Sequence, residues 1–195
     1  MAPYVRRVKL ASLRFAMLTD LALFSIGPAL KRRELLAGRF ADAFSWMFMA
    51  VSAIRRFEAE GRSEEDLPLA RWALEFSLAR VQEAEEGIAA NFDKGLAGFW
   101  LRGPVSLVLR LSRAGREPSD RLTREAAAII TKPGPQRDRL TSGIFAPSDP
   151  DEAALKLEKT LLAAAEAEKS GRKDDPALEA LRQLKRRERR ECRRT

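Results

Sequence analysis

A regular spacing of apolar side chains predicts a long helix over residues 31–57. Steps of three and four residues connect an unbroken apolar series: Leu36, Phe40, Ala43, Met47, Ala50, Ile54 and Phe57. This spacing is typical of the buried stripe of an α-helix. Five more apolar residues widen the stripe and carry it round to the opposite side: Phe44, Phe48, Val51, Trp46 and Met49. A helix that is apolar on nearly all sides is expected inside a bundle rather than on its surface.

The middle of this segment has no charged side chain between residues 43 and 54. Such a run raises the question of a membrane span. It contains only 12 residues, whereas a bilayer-spanning helix needs about 20 apolar residues. The pattern therefore predicts a buried core helix.

Two further helices are predicted beside it. Residues 5–26 place five apolar side chains on one face: Leu10, Leu13, Met17, Leu21 and Phe24. Gly27-Pro28 ends this helix, and the short connection predicts that the first two helices pack as antiparallel neighbours. Acidic residues and a proline at 63–68 then predict the start of a third helix, which runs to about residue 90.

The rest of the chain predicts shorter helices and a polar tail. A helix is expected over about residues 120–131, a connector with a short helical start at 136–150, and a helix from about 150 to 170. No period-two alternation predicts a hairpin. The predicted fold is therefore an all-α antiparallel bundle of five to six helices over residues 1–170. Residues 171–195 are expected to form an exposed helix or a disordered tail.

Two groups of charged residues within the predicted helices have alternative interpretations. If the first turn centres near residue 28, Asp20 lies level with Arg39 and either pairs with it or faces solvent. Glu83, Glu85 and Glu86 are spaced closely enough to suggest a metal site, but that requires convergent ligands. The preferred interpretation is that these glutamates form the solvated end of an amphipathic helix.

Composition excludes several kinds of active site. The 195-residue chain is 45% hydrophobic and 33% charged, as expected for a soluble globular domain. It contains no histidine, which excludes histidine-dependent triads and most zinc sites. Its single cysteine, Cys192, cannot form an intramolecular disulfide, so a reducing, cytoplasmic location is expected. Asp20 interrupts the apolar part of the N-terminus, which argues against a signal peptide.

The positive charge is concentrated at the C-terminus. The net charge is +8, of which residues 172–195 contribute +5 and the rest of the chain +3. The densest group comprises Arg186, Arg187, Arg189 and Arg190. Such a tail is able to neutralise phosphates of nucleic acid or anionic lipid. It lacks interleaved aromatic residues for base stacking, so a solvated tail is preferred and nucleic acid is disfavoured as a partner.

A different surface is predicted within residues 95–111. This apolar, weakly cationic segment is broken by Gly103-Pro104 and carries five candidates for membrane or partner contact: Phe99, Trp100, Leu101, Val105 and Val108. Cationic apolar segments with aromatic residues are typical of membrane-surface anchors. The same composition also suits a bundle core or an interface with another domain. No phosphate-binding loop or catalytic motif accompanies it.

The order of several motifs resembles a known protein family. LKRRELLAGRFADAF, EGRSEEDLPL, PSDRL and RDRLTSGIFAPSDP stand in this order in the sequence. They are similar to the C-terminal extension of the long, bacterial-type, FAD-dependent acyl-CoA dehydrogenases of fatty-acid β-oxidation. The resemblance covers roughly residues 4–167. The family also tends to continue with further helices where this sequence has its basic tail.

The resemblance implies a role beside a catalytic region. In the family, the flavin, the acyl-CoA and the catalytic glutamate belong to domains upstream of the matched region. FAD is thus implied only for the full-length family, and the resemblance assigns no catalytic, cofactor-binding or metal-binding residue to this sequence. We expect a non-catalytic helical piece, either a separate subunit or a truncated product. Its expected partners are acyl-CoA dehydrogenase catalytic domains, a homodimer mate or the inner membrane face. The alternative is a small basic helical protein whose tail binds nucleic acid or anionic membrane.

Overall fold

The computed structural model describes residues 1–92, 96–145, 147, 149 and 152–170. These residues form helices and their connections, without a strand, which confirms the all-α prediction. The helices are α1 Ala2–Ser25, α2 Glu34–Ala59, α3 Leu67–Ala90, α4 Leu96–Trp100, α5 Ser106–Leu111, α6 Asp120–Thr131, α7 Pro135–Thr141 and α8 Ala153–Ser170. There are more of them than the predicted five or six. The apolar segment is divided into α4 and α5, and the start of the connector forms α7 as a helix of its own.

Helix α2 packs antiparallel to both α1 and α3, as predicted for the first pair. The ring of Phe15 lies 6.0 Å from that of Phe40, whereas the earlier Ala11 packs with the later Met47. Residues nearer the start of α1, including Val5, pack against Ile54 near the end of α2. Contacting residues therefore have increasing numbers on α2 as their numbers decrease on α1, which shows that the two helices are antiparallel.

The predicted stripe of α2 is confirmed, but the helix is not enclosed. Six of the seven stripe residues are buried, and Phe40 is half-buried. Trp46 also packs within the chain, with its ring 5.5 Å from that of Phe76 on α3. The prediction that α2 lies inside the bundle is wrong, because five of its large apolar side chains are exposed: Leu35, Phe44, Phe48, Met49 and Val51.

Helix α1 is buried along a face other than its most apolar one. Its buried residues are Ala11, Arg14, Leu18 and Ala22. The apolar face identified from the sequence points outward, with only Leu21 half-buried among its five members. Small residues on the buried face allow α1 to approach α3 closely. Asp20 is exposed and has no ion pair with a described residue, which supports the solvent-facing alternative.

The segment from α4 to α5 is helical across Gly103-Pro104, the pair that interrupts its apolar residues. A π-helical turn, Leu101–Val105, contains Pro104 and joins the two helices. Proline lacks a backbone N–H, and its ring clashes with the carbonyl four residues earlier in an α-helix. A single π turn widens the helix at this point and removes the clash without ending it.

The described residues fall into two compact units, one at residues 1–127 and one from residue 128 onwards. The first contains the three-helix core and α4–α5, together with the beginning of α6, where Thr123 accepts a hydrogen bond from the Trp72 indole at 3.2 Å. In the second, Arg137 of α7 donates two hydrogen bonds of 2.6 Å to the carboxylate of Glu158 on α8. The predicted tail, 171–195, lies outside the described residues.

Candidate interaction surface

The first unit leaves an apolar face of α1 uncovered. Leu13 and Met17 are each 66% exposed and Phe24 is 92% exposed, with Leu10 beside them. Their spacing of three, four and seven residues places them along one side of the helix. We call Leu10, Leu13, Met17 and Phe24 the outer face of α1. Soluble proteins rarely leave contiguous large apolar side chains in water unless they bind a partner there.

The predicted contact residues of α4–α5 divide between surface and core. Phe99 is 68% exposed, Trp100 54% and Val108 59%, so these three are available for contact. Val105 is half-buried against the core, and Leu101 is fully buried within it. Leu101 shares a buried cluster with Leu18 and Ile88. Leu101 therefore does not belong to the contact surface.

A groove connects the outer face of α1 to the end of α5. Its volume is about 530 Å³, and its walls include Leu10 from α1 and Leu111 from α5. The rest of its lining is Arg7, Ser112, Arg113, Ala114, Gly115 and Arg116. Leu10 of α1 and Leu111 of α5 therefore share one rim within this unit.

Buried polar side chains hold this rim in place. Arg14 of α1 donates hydrogen bonds to the Ser112 carbonyl, to Ser112 Oγ at 2.7 Å and to Gln82 Oε1 at 3.2 Å. Gln82 Oε1 also accepts a hydrogen bond from the backbone N–H of Ala114 at 2.9 Å. The Gln82 amide nitrogen donates to the Leu109 carbonyl at 2.9 Å. One arginine and one glutamine thus tie α1 and α3 to the chain after α5.

Glu85 lies in the same buried cluster and corrects the predicted solvated glutamates. Its side chain is fully buried, and its carboxylate lies 3.6 Å from the Arg14 guanidinium without accepting a hydrogen bond. Burial raises the pKa of Glu85 to about 7, and the nearby Arg14 charge opposes this only in part. By contrast, Glu83 is exposed and Glu86 is half-buried. Helix spacing alone therefore did not distinguish the buried glutamate from the other two.

Among the described residues, no group of three or more acidic or cysteine side chains is placed to hold a metal ion. None of the helices in this part of the chain combines the length and hydropathy needed to cross a membrane. The predicted tail arginines, Arg186, Arg187, Arg189 and Arg190, lie outside the described residues.

Sequence reasoning missed the outer face of α1 as a contact candidate. It found the five apolar positions but gave no reason to place them in solvent. The available signal was the second face of the helix, where Ala11, Leu18 and Ala22 also recur at helical spacing. Arg14 lies between these residues, and nothing local indicates that Gln82 and Ser112 would satisfy it.

The chain matches a family model of known proteins. The family model described as acyl-CoA dehydrogenase, C-terminal, bacterial type, matches residues 1–191. The match includes every described residue and most of the predicted tail. No solved structure matches the chain.

Proposed function

Because the chain belongs to the family of bacterial-type acyl-CoA dehydrogenase C-terminal domains, we propose that it is a non-catalytic docking domain. It packs against the flavin-binding catalytic region of such an enzyme, within the cytoplasm and in fatty-acid β-oxidation. FAD, acyl-CoA and the proton-abstracting base belong to that region. The contribution of this chain is to bind and position it.

The observation that carries this proposal is the outer face of α1. Leu13, Met17 and Phe24 present three large side chains on a helix whose opposite face is already packed. Full burial of such a side chain contributes about 1.5–3 kcal/mol. Burial of these three side chains against a partner therefore favours docking, and Phe99, Trp100 and Val108 are further exposed apolar side chains of the same unit.

Co-purification tests the docking. The full chain is co-expressed with the catalytic region of an acyl-CoA dehydrogenase of this family that lacks its own C-terminal domain. Wild type is expected to co-elute with that region in size-exclusion chromatography. Leu13→Asp places a charge at the centre of the contact and is expected to weaken binding at least tenfold.

Leu157→Asp is the matched control. Leu157 is also an exposed leucine, but it lies on α8 in the second unit. The proposal is supported if Leu157→Asp co-elutes with the catalytic region and Leu13→Asp does not. The proposal is contradicted if both variants co-elute with the catalytic region. It is also contradicted if wild type itself fails to co-elute. If the chain instead forms a dimer that Leu13→Asp dissociates, the outer face binds a second copy and docking is refuted.

Peripheral membrane contact is the second candidate function. It is favoured by the exposed pair Phe99 and Trp100, whose rings lie edge to face at 6.3 Å, with exposed Arg102 and Arg110 nearby. Aromatic residues beside cations are typical of helices that lie in a membrane interface. Wild type is then expected to sediment with anionic liposomes, and Trp100→Asp to remain in solution, with Leu157→Asp as control. A chain that stays in solution even at low salt has no such contact.

A further inference from the structure

We propose that the groove between α1 and the chain after α5 binds a phosphate group. Three arginines line it, Arg7 from α1 and Arg113 and Arg116 from the connection that follows α5. No acidic side chain is among its lining residues. Three arginines lining one groove make a multiply charged anion the complementary ligand. This inference does not depend on docking to a catalytic region.

The backbone that carries two of these arginines is held by buried contacts. Arg14 binds Ser112, and Gln82 binds the Ala114 N–H, on either side of Arg113. Gly115 lies so close to α3 that a β-carbon there would come 2.1 Å from the backbone of Leu78. The connection therefore cannot move away from α3 without losing buried hydrogen bonds. Arg113 and Arg116 are presented from a fixed base, which lowers the entropy lost on binding.

Arg7 is positioned on the opposite wall. Its guanidinium lies over the ring of Tyr4, 5.5 Å from the ring centroid. The Tyr4 hydroxyl in turn donates a hydrogen bond of 2.8 Å to Glu75 on α3. None of the three arginines pairs with a carboxylate of a described residue. Their charges are available to a ligand rather than used within this part of the fold.

The shape and charge favour phosphate over a carboxylate. A volume of about 530 Å³ suits a small ligand or a lipid headgroup. The guanidinium fork matches phosphate oxygens, and a phosphomonoester carries up to about two negative charges. A single carboxylate would leave two of the three cations uncompensated. Leu10 and Leu111 on the rim also allow an alkyl chain to leave the groove against apolar surface.

Two probes distinguish a free phosphate from a lipid headgroup. Pyrophosphate is titrated into the full-length chain by calorimetry, and vesicles of phosphatidylcholine with phosphatidic acid are used in sedimentation. Both are measured at about 0.15 M salt, where long-range attraction to the basic tail is screened. The double variant Arg113→Ala/Arg116→Ala is expected to bind at least about tenfold more weakly than wild type.

The control removes the same charge elsewhere. Arg55 and Arg121 have exposed side chains away from the groove, and Arg55→Ala/Arg121→Ala should bind within twofold of wild type. Arg113→Lys keeps the charge but loses the fork, and should bind with intermediate affinity. Equal melting temperatures of the variants show that folding is unaffected.

Each outcome has a defined meaning. Binding of either probe that is lost only in the groove variant supports the site. If only the vesicles bind in this way, the phosphate is that of a lipid headgroup. An equal loss in both double variants shows general attraction to positive charge and overturns the proposal. A chain that binds neither pyrophosphate nor the vesicles also overturns the proposal. This holds even if the groove arginines bind an acidic protein segment instead.

Discussion

Replacing Glu85 with glutamine should change how the stability of the chain depends on pH. The amide has nearly the same shape as the carboxyl group and resembles its protonated form. Arg14 remains charged in both proteins, so the two differ mainly in whether residue 85 titrates. The folded carboxyl has a pKa of about 7 against an ordinary value of 4.5.

The sign follows from proton binding. Between pH 4.5 and about 7 the unfolded chain has lost the Glu85 proton while the folded chain retains it. Because the folded state then binds more protons, the free energy of unfolding falls as the pH rises through this window. Each pKa unit corresponds to about 1.4 kcal/mol, so the whole window accounts for about 3 kcal/mol. Below pH 4.5 and above about 7 this contribution no longer changes.

The assay is urea unfolding of wild type and Glu85→Gln at a series of pH values from 4 to 8.5. The variant should gain stability relative to wild type by about 3 kcal/mol across the series, whatever its stability at the acidic end. Glu83→Gln is the control, since Glu83 is an exposed carboxylate on the same helix. Parallel curves for wild type and Glu85→Gln would refute a buried carboxyl with a raised pKa.

Three other predictions test the packing. Leu18→Ala on the buried face of α1 should lower the free energy of unfolding by about 2–4 kcal/mol, whereas Met17→Ala on the outer face should change it by less than about 1 kcal/mol. Equal effects in urea unfolding would show that the buried and outer faces of α1 are wrongly assigned. Gly115→Ala should lower the melting temperature, because its β-carbon would meet the α3 backbone at 2.1 Å; an unchanged melting curve would contradict this close approach. Arg137 lowers the pKa of Glu158, so their pairing stabilises above pH 4.5 and is lost as the pH falls through the lowered value. The melting-temperature difference between wild type and Arg137→Gln should therefore narrow from pH 7 to pH 3, and a constant difference would show that this pairing is not what the substitution removes.

Much of the helical framework could be predicted because it depends on local signals. The stripe of α2 was correct at Leu36, Ala43, Met47, Ala50, Ile54 and Phe57 because a helix period alone places these residues on one side. The α6 helix was also predicted at its observed limits, Asp120–Thr131, because a polar linker precedes it and Lys132-Pro133 follows. Gly103-Pro104 did not show from the sequence whether the helix would end there or continue through a π turn, as it does.

The candidate surface was predictable only in part. Phe99, Trp100 and Val108 were identified from composition and are exposed, but Leu101 has the same character and is buried. The sequence showed the apolar spacing of the outer face of α1, but it did not show that this face is exposed to solvent. The three groove arginines were not identified from the sequence, since Arg7 is distant in the chain from Arg113 and Arg116.

The sequence by itself determined the all-α class, the positions of the long helices and the family to which the chain belongs. Periodicity and turn residues act over a few neighbours, and so they can be read locally. Only the tertiary structure decided which face of α1 is covered, and that Glu85 rather than Glu83 is buried. A helical pattern states which residues share a side. Which side is packed depends on partners such as Gln82 and Ser112, which lie 68 and 98 residues from Arg14.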